Sequence, residues 1–229
     1  MKNILLSDVT LLGIDCVNLE RLFFAFDVCQ KHIEFEVVKL LTHLPSENKI
    51  VVKIDPIKSI EQYSQFVVKQ LYKFVNTTHV LIIQHDGFIL NPFSWTYDFL
   101  KYDYIGAPWW YKDNYNVGNG GFSLRSRKLM EAVALDNNIV ECHPEDYIIC
   151  RTHGERLVRK GFSFAPEALA HQFAREGLSI PWNNEFGFHQ ADISKWQIHD
   201  YTDCKLHSKC IDRFYFFFPH AKTKVSANR

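Results

Sequence analysis

In the first half of the chain, two patterns of apolar and polar positions alternate. One is typical of buried strands and the other of amphipathic helices. Four segments rich in apolar residues predict strands, at residues 9–14, 35–41, 50–54 and 80–83, and the last of them is continuously apolar. Apolar residues at helical spacing predict two helices between them, the first capped by Asn18 and the second by Ser59 in a capping box. Such strand–helix repetition with short connections indicates an α/β fold with a mostly parallel central sheet flanked by helices.

The second half of the chain is less regular. Helices are predicted from about Ser126 to Leu135, from Pro144 to about His153, and over residues 165–176. The apolar segment 213–220 predicts a buried or edge strand, and the polar residues that follow it predict a frayed tail. No linker or repeat interrupts the sequence, so residues 1–229 are interpreted as a single domain. No apolar run approaches the roughly eighteen residues of a membrane-spanning helix.

The charge and the cysteine content limit the kinds of function that the protein can have. The 26 basic and 26 acidic residues cancel, which argues against a protein built around nucleic-acid binding, because that requires a basic face. The N-terminus lacks the cleavage site of a secretory signal, so a cytoplasmic protein with reduced thiols is expected, with peripheral membrane contact left open. Cys204, His207 and Cys210, near His199, could bind zinc, but their spacing matches no usual zinc signature and a solvated segment is favoured.

Polar residues follow two of the predicted strands. Asp15 follows the first strand, and Gln84, His85, Asp86 and Gly87 follow the fourth. Because ligands of parallel α/β sheets bind at the carboxyl ends of strands, these residues are expected to meet at one site. A carboxylate at position 86 can hold a divalent cation while the adjacent glycine lets a ligand approach the backbone. A turn aspartate that caps the strand end is an equally weighted alternative.

Three of the ten glycines cluster in the segment Gly118-Asn119-Gly120-Gly121. A loop without Cβ atoms can point backbone N–H groups at an anion or a sugar oxygen. Arg125 and Arg127 follow it and could offer charge to a diphosphate. A tight turn is the plain alternative, since the segment is neither a P-loop nor the spaced dinucleotide-binding fingerprint.

Two adjacent carboxylates, Glu145 and Asp146, follow Pro144 at a predicted helix start. Carboxylates there stabilise a helix through its dipole, and on local sequence alone this interpretation is favoured over a general base. His189 lies among aromatic residues in the segment EFGFHQ. It becomes a candidate ligand only if the fold returns it to Asp86.

Seven segments, taken in order, resemble a family of uncharacterised glycosyltransferase-like domains with the GT-A fold: VTLLGIDCVN, VLIIQHDGFILNPFSW, YDYIGAPWW, VGNGGFSLRSRKL, PEDYIICR, FAPEALAHQFARE and FGFHQ. The resemblance extends from about Val9 to about His189. It implies a GT-A-like nucleotide-diphospho-sugar transferase fold. It also implies transfer of a sugar from a nucleotide-sugar donor to a hydroxyl group of a glycan or lipid-linked acceptor, in glycan or polysaccharide assembly.

The resemblance also implies how a donor would be held. In GT-A enzymes an Asp-x-Asp motif at a strand end binds a divalent metal on the donor diphosphate. Here the motif reads Gln84-His85-Asp86, a departure that leaves metal dependence open. The implied ligands of Mn²⁺ or Mg²⁺ are Asp86 and His189. The implied donor contacts are Asp15, Asn18, Gln84, Asp86, Gly87, Gly118, Asn119, Gly120 and Gly121.

The remaining implied roles concern chemistry on the acceptor. Asp146 would be the general base, with Glu145 as the second choice. Trp109 and Trp110 could stack on the apolar face of an acceptor sugar, or simply pack.

The alternative class is a non-catalytic carbohydrate- or nucleotide-binding module on the same fold, motivated by the incomplete acidic motif. A glycoside hydrolase fits less well, because adjacent carboxylates on a helix do not face each other across a cleft. A dinucleotide-dependent oxidoreductase fits least, because the glycine fingerprint is missing.

Overall fold

A computed structural model describes residues 3–176 and 184–189 of the chain. The strands are β1 (Ile4–Ile14), β2 (Ile33–Thr42), β3 (Val51–Lys53), β4 (His79–Ile83), β5 (Tyr104–Gly106), β6 (Phe122–Ser126), β7 (Ala174–Glu176) and β8 (Gly187–His189). The helices are α1 (Leu19–Cys29), α2 (Ile60–Lys69), α3 (Arg127–Leu135), α4 (Glu145–Tyr147), α5 (Gly154–Arg159) and α6 (Glu167–Phe173). The predicted strand at residues 213–220, the polar tail and the Cys204, His207, Cys210 and His199 group lie outside the described residues.

The central sheet has the strand order β3-β2-β1-β4-β6-β5. Strands β3, β2, β1 and β4 run parallel, whereas β6 is antiparallel to both β4 and β5. This is the mostly parallel, helix-flanked α/β sheet that the sequence pattern and the GT-A resemblance predict, and the prediction is confirmed. The continuous apolar run of β4 follows from this arrangement, because both faces of that strand are covered.

Strand β4 lies between two hydrophobic cores. Leu81 and Ile83 pack in a cluster that includes residues of α1 and α6. Val80 and Ile82 face the other way, into a cluster with residues of α2 and Met130 of α3. Because both faces of β4 are fully buried, the position of the polar residues after Ile83 is fixed by packing on both sides.

Three predicted boundaries are wrong for identifiable reasons. Strand β1 begins at Ile4 rather than at residue 9; the exposed polar residues Ser7 and Asp8 separate its first apolar residues from the buried segment that follows. The helix predicted from Pro144 continues past Gly154, which begins α5 after a π-helical turn over Ile148–Thr152. The helix predicted over residues 165–176 ends at Phe173, because β7 then pairs with β8.

The caps predicted for α1 and α2 are present. The Asn18 side chain accepts a hydrogen bond from the N–H of Glu20 at 3.0 Å, and the Ser59 hydroxyl accepts one from the N–H of Gln62 at 3.3 Å. Both caps satisfy N–H groups that have no partner inside the helix. None of the helices in the described part of the chain has the length and apolarity that a membrane crossing requires.

Candidate functional site

A cleft of about 600 Å³ opens at the carboxyl ends of the parallel strands. Asp15 directly follows β1 and Gln84 directly follows β4, and these two strands are parallel neighbours. Both residues line the cleft, so the fold brings the two strand ends together as the sequence predicts. Other residues of its wall are Arg21, Lys58, Tyr63 and His85.

Asp15 is held by groups of its own strand–helix connection. Its carboxylate accepts hydrogen bonds from the N–H groups of Val17 at 2.8 Å and Asn18 at 3.0 Å. It also accepts hydrogen bonds from Nε of Arg21 at 2.6 Å and from Nη2 of Arg21 at 3.1 Å. Since Asp15 is only 5% exposed, the more exposed Arg21 is the charged group that this connection presents to the cleft. The sequence analysis did not identify Arg21. Its position in the first turn of the helix that follows a strand-end aspartate could have indicated it.

His189 returns to the end of β4 through the pairing of β8 with β7. Its Nε2 atom lies 3.1 Å from Oε1 of Gln84 and 3.8 Å from Oδ1 of Asp86. Its Nδ1 atom lies 3.3 Å from Oε2 of Glu176. Burial acts to lower the pKa of His189, but the hydrogen bond and charge of Glu176 and the charge of Asp86 outweigh it, so the pKa is raised.

Asp86 presents an oxygen atom that the protein leaves unsatisfied. Its Oδ1 atom is buried and has no hydrogen-bond partner, although His85 Nδ1 lies 3.7 Å away. Burying a carboxylate oxygen is unfavourable unless a donor or a cation approaches it. Within residues 3–176 and 184–189, no three His, Cys, Asp or Glu side chains form a complete metal site. An oxygen of Asp86 and a nitrogen of His189 have the chemistry of divalent-cation ligands, so these two residues fit the cation that the resemblance implies.

The four residues from Gly118 to Gly121, here called the glycine loop, are buried against side chains of the candidate site. A Cβ atom would lie 2.0 Å from Cη2 of Trp109 at Gly118, 2.1 Å from Oε1 of Glu145 at Gly120 and 1.9 Å from Nε2 of His189 at Gly121. The absent Cβ atoms therefore make room for three side chains of the protein itself. The predicted contact of this loop with a donor sugar stays a prediction.

Asn119 fixes the shape of the glycine loop. Its φ angle of 64° lies in the left-handed region, which asparagine adopts more readily than most residues. Its side chain accepts a hydrogen bond from the N–H of Gly121 at 3.2 Å, and its carbonyl oxygen accepts one from the hydroxyl of Tyr104 at 3.2 Å. The loop is thus held from both sides.

Arg125 is buried, and the expectation that it offers charge to a diphosphate is wrong. Its Nη2 atom lies 2.6 Å from Oε1 of Glu145 and its Nε atom donates to Ser123 Oγ at 3.0 Å. Its guanidinium carbon lies 4.8 Å from the centre of the Tyr104 ring. Arg127 is at the far end of β6, where it donates to the carbonyl of Val75 at 2.8 Å. Strand β6 is antiparallel, so Arg127 lies at the edge of the sheet opposite the cleft.

Glu145 and Asp146 occupy different environments. Glu145 is buried, and burial raises its pKa although the charge of Arg125 opposes the shift; its carboxylate also accepts the N–H of Asp146. Asp146 is half-buried; its Oδ2 atom accepts the N–H of Gly120 at 3.0 Å and its Oδ1 atom the N–H of Tyr147 at 2.8 Å. Of the two predicted base residues, Asp146 is therefore the one that a ligand can reach.

Aromatic side chains surround the outer part of the glycine loop. Trp109 lies against Gly118, with its ring centre 6.4 Å from that of Tyr147. Trp110 is 79% exposed. The guanidinium carbon of Arg151 lies 3.6 Å from the centre of the Tyr111 ring. This surface can support a ring, and the predicted acceptor contacts of Trp109 and Trp110 stay predictions.

We expect Gly120→Ala to lower the free energy of unfolding by about 1–3 kcal/mol, the usual cost of forcing extra volume into a packed site. The new methyl group would overlap Oε1 of Glu145, which cannot move away without weakening its bond to Arg125. Gly154→Ala is the matched control, because the nearest atom to its added Cβ is 3.7 Å away. Since Gly154 begins α5, that change should be neutral or stabilising by up to about 1 kcal/mol. Urea denaturation of both variants measures the difference, and equal stabilities would contradict the close packing of Gly120.

Residues 48–189 match the model of a protein family described as "Protein of unknown function (DUF5672)". No curated protein matches the chain in sequence. Among solved structures, the chain is similar to the apo-form glycosyltransferase GlyE of Streptococcus pneumoniae TIGR4, at 13% identity and a TM-score of 0.45. It is also similar to another structure of glycosyltransferase GlyE from that organism, at 12% identity and a TM-score of 0.38. Both alignments cover 96% of this chain, which spans 64% of the length of either GlyE chain.

Proposed function

We propose a function for this chain, which belongs to the DUF5672 family of proteins of unknown function: it is a glycosyltransferase that moves a sugar from a nucleotide-diphosphate sugar to a hydroxyl group of a glycan or lipid-linked acceptor. The observation that carries the proposal is an unbroken chain of contacts along one edge of the sheet. Gln84 lines the cleft and meets His189, His189 packs on Gly121, and the preceding Gly120 binds Asp146. These contacts support a donor site and a carboxylate base that adjoin each other.

The size and charge of the cleft support a nucleotide donor. Its volume of about 600 Å³ falls in the range of about 300–1,000 Å³ that is usual for small-molecule sites. Arg21 and Lys58 in its wall attract phosphate groups. The segment from Asp15 to Asn18 would then lie near the nucleoside part, with Gln84 towards the diphosphate.

A divalent cation, Mn²⁺ or Mg²⁺, would be held by Oδ1 of Asp86 and Nε2 of His189. When bound, such a cation stabilises the negative charge that develops on a departing diphosphate. The unsatisfied oxygen of Asp86 and the 3.8 Å separation of the two atoms support this assignment. Gly87 and the glycine loop would lie beside the diphosphate and the donor sugar.

Asp146 would act as the general base. The acceptor oxygen attacks the anomeric carbon, its proton passes to Asp146, and the bond to the diphosphate breaks with its electron pair on the leaving oxygen. The hydrogen bonds from Gly120 and Tyr147 fix the carboxylate in one orientation, so little reorganisation is required on reaction. Glu145, which is buried against Arg125, would hold Asp146 in position rather than take the proton.

The acceptor would lie against the exposed aromatic surface. Trp110 projects into solvent and Trp109 forms one wall of the glycine loop. Planar aromatic side chains of this kind suit the apolar face of a sugar ring. Stacking there would orient an acceptor hydroxyl towards Asp146.

The first experiment is thermal unfolding of the purified protein with a panel of nucleoside diphosphates and nucleotide sugars, each with and without Mn²⁺. A ligand that binds only the folded state raises the midpoint by mass action, with about 2.7 kcal/mol of stabilisation at a hundred times its Kd. We expect selective stabilisation by one nucleotide, an increase with Mn²⁺, and loss of that increase in Asp86→Asn. Glu155→Gln, a change in an exposed ion pair, is the control.

Two outcomes would contradict the proposal. No stabilisation by any nucleotide at several millimolar would exclude a donor site in the cleft. Stabilisation without donor hydrolysis or sugar transfer would instead favour the non-catalytic nucleotide-binding module that the incomplete acidic motif also allows.

A further inference from the structure

The ring of His189 lies between two oxygen atoms. Glu176 Oε2 is 3.3 Å from Nδ1, and Gln84 Oε1 is 3.1 Å from Nε2. A carboxylate accepts hydrogen bonds and does not donate them when ionised, so Nδ1 must carry a proton to satisfy Glu176. With Nδ1 protonated, Nε2 is the ring nitrogen whose lone pair can bind a cation.

Gln84 contacts Tyr63 through one end of its amide group and His189 through the other. The side-chain nitrogen of Gln84 donates to the hydroxyl of Tyr63 at 3.1 Å. The amide oxygen of Gln84 faces His189, which also lies 3.8 Å from the unsatisfied Oδ1 of Asp86.

The glycines beside the ring allow this convergence. A Cβ atom at Gly121 would lie 1.9 Å from Nε2 of His189, and one at Gly87 would lie 3.1 Å from Cδ2. Any side chain at position 121 would therefore displace the ring from Gln84 and Asp86. Three atoms that can bind a hard or borderline divalent cation meet at this point: one amide oxygen, one carboxylate oxygen and one imidazole nitrogen.

We propose that Glu176 is a positioning residue that fixes the Nδ1-protonated tautomer of His189, and that Gln84 Oε1 is a third protein ligand beside Asp86 Oδ1 and His189 Nε2 for the divalent cation. The inference rests on the proposed function for the role of the cation, but cation binding is measurable without turnover. A cation would bind the lone pair of Nε2 in competition with a proton. The three ligands carry one negative charge, so the bound ion keeps a net positive charge towards the diphosphate.

The test is Mn²⁺ binding, followed by the loss of the free Mn²⁺ electron paramagnetic resonance signal at pH 8, with and without the nucleoside diphosphate that stabilises the protein most. Carboxylates that orient a metal-binding histidine typically contribute about 10–100-fold in metal affinity. We expect Glu176→Gln to weaken Mn²⁺ binding by that factor. Gln84→Leu should weaken it, and Gln84→Glu should strengthen it by adding a second negative charge.

Glu167→Gln is the matched control. Glu167 also pairs with a histidine, His171, at 3.5 Å, but both side chains are more than half exposed, so Mn²⁺ affinity should not change. The ring-nitrogen chemical shifts of His189 in ¹⁵N-labelled protein provide a second measurement that needs no folded variant. They should report a proton on Nδ1 in the presence of the diamagnetic Mg²⁺.

The outcomes separate this inference from the proposed function. Unchanged Mn²⁺ affinity in Glu176→Gln and Gln84→Leu, with wild-type binding intact, would overturn the inference and leave the transferase proposal in place. A proton on Nε2 of His189 with Mg²⁺ bound would also overturn it. Nucleotide binding and sugar transfer in the wild type without any bound Mn²⁺ would overturn the inference and retain a metal-independent transferase.

Discussion

Arg125→Met should lower the free energy of unfolding by about 3–5 kcal/mol, the usual cost of removing one partner from a buried ion pair. Methionine keeps an unbranched apolar side chain but removes the guanidinium group that lies over the Tyr104 ring, and it leaves the Glu145 carboxylate buried without its cation. Since small domains have about 5–15 kcal/mol in total, this single change should remove a large part of the stability. The midpoint and slope of urea denaturation measure the loss.

The control and the rescue identify the cause of that loss. Arg159→Ala breaks an ion pair whose side chains are 69% and 67% exposed, and exposed pairs contribute about 0–1 kcal/mol. Adding Glu145→Gln to Arg125→Met should recover about 1–3 kcal/mol, because a buried neutral amide costs less than a buried lone charge. A loss in Arg125→Met no larger than in Arg159→Ala would contradict a buried pair at this position.

The parallel half of the fold could be predicted because its strands and helix caps depend on residues that are close in sequence. Strand β4 and the second half of β1 are buried, so both are largely apolar segments, and the polar residues that follow mark the strand ends. Once the sheet is taken as parallel, Asp15 and Gln84 must share one edge. The caps at Asn18 and Ser59 were predictable for the same reason, since a cap bonds only N–H groups two or three residues away.

The role of Arg125 could not be predicted, because it depends on the direction of β6 and on its neighbours. A basic residue after a glycine-rich loop suggests an anion site. In the structure, β6 runs antiparallel to β4, and Ser123 and Arg125 share the face that meets Glu145. Neither strand direction nor the identity of the facing helix can be obtained from the local sequence.

Glu176 was missed because its importance depends on a short strand pair. Strand β7 has three residues. Its partner β8 begins eleven positions after β7 ends. Three residues are too few to show a period, and the composition of the segment favours a helix. By contrast, the return of His189 to Asp86 was expected only from the resemblance, and the structure brings Nε2 to 3.8 Å from Oδ1.

Asp146→Asn should reduce the rate of sugar transfer by about 10²–10⁴-fold, the usual contribution of a general base. Asparagine has nearly the same shape, and its side-chain oxygen can still accept the N–H of Gly120 that Asp146 binds at 3.0 Å, although its NH2 group cannot accept the N–H of Tyr147. It cannot take up the acceptor proton at neutral pH. Donor binding should therefore be unchanged while kcat falls. Hydrolysis of the nucleotide sugar that stabilises the protein provides the assay before an acceptor is identified.

Two comparisons make this expectation specific to the base. Asp98→Asn, in an exposed ion pair with Lys101, should keep full activity. Glu145→Gln should lower stability as well as activity, because that side chain holds Arg125 and the N–H of Asp146. A loss of activity in Asp146→Asn with stability unchanged and the thermal shift by nucleotide preserved would assign the proton transfer to Asp146. More than a tenth of wild-type activity in Asp146→Asn would mean that another group accepts the proton.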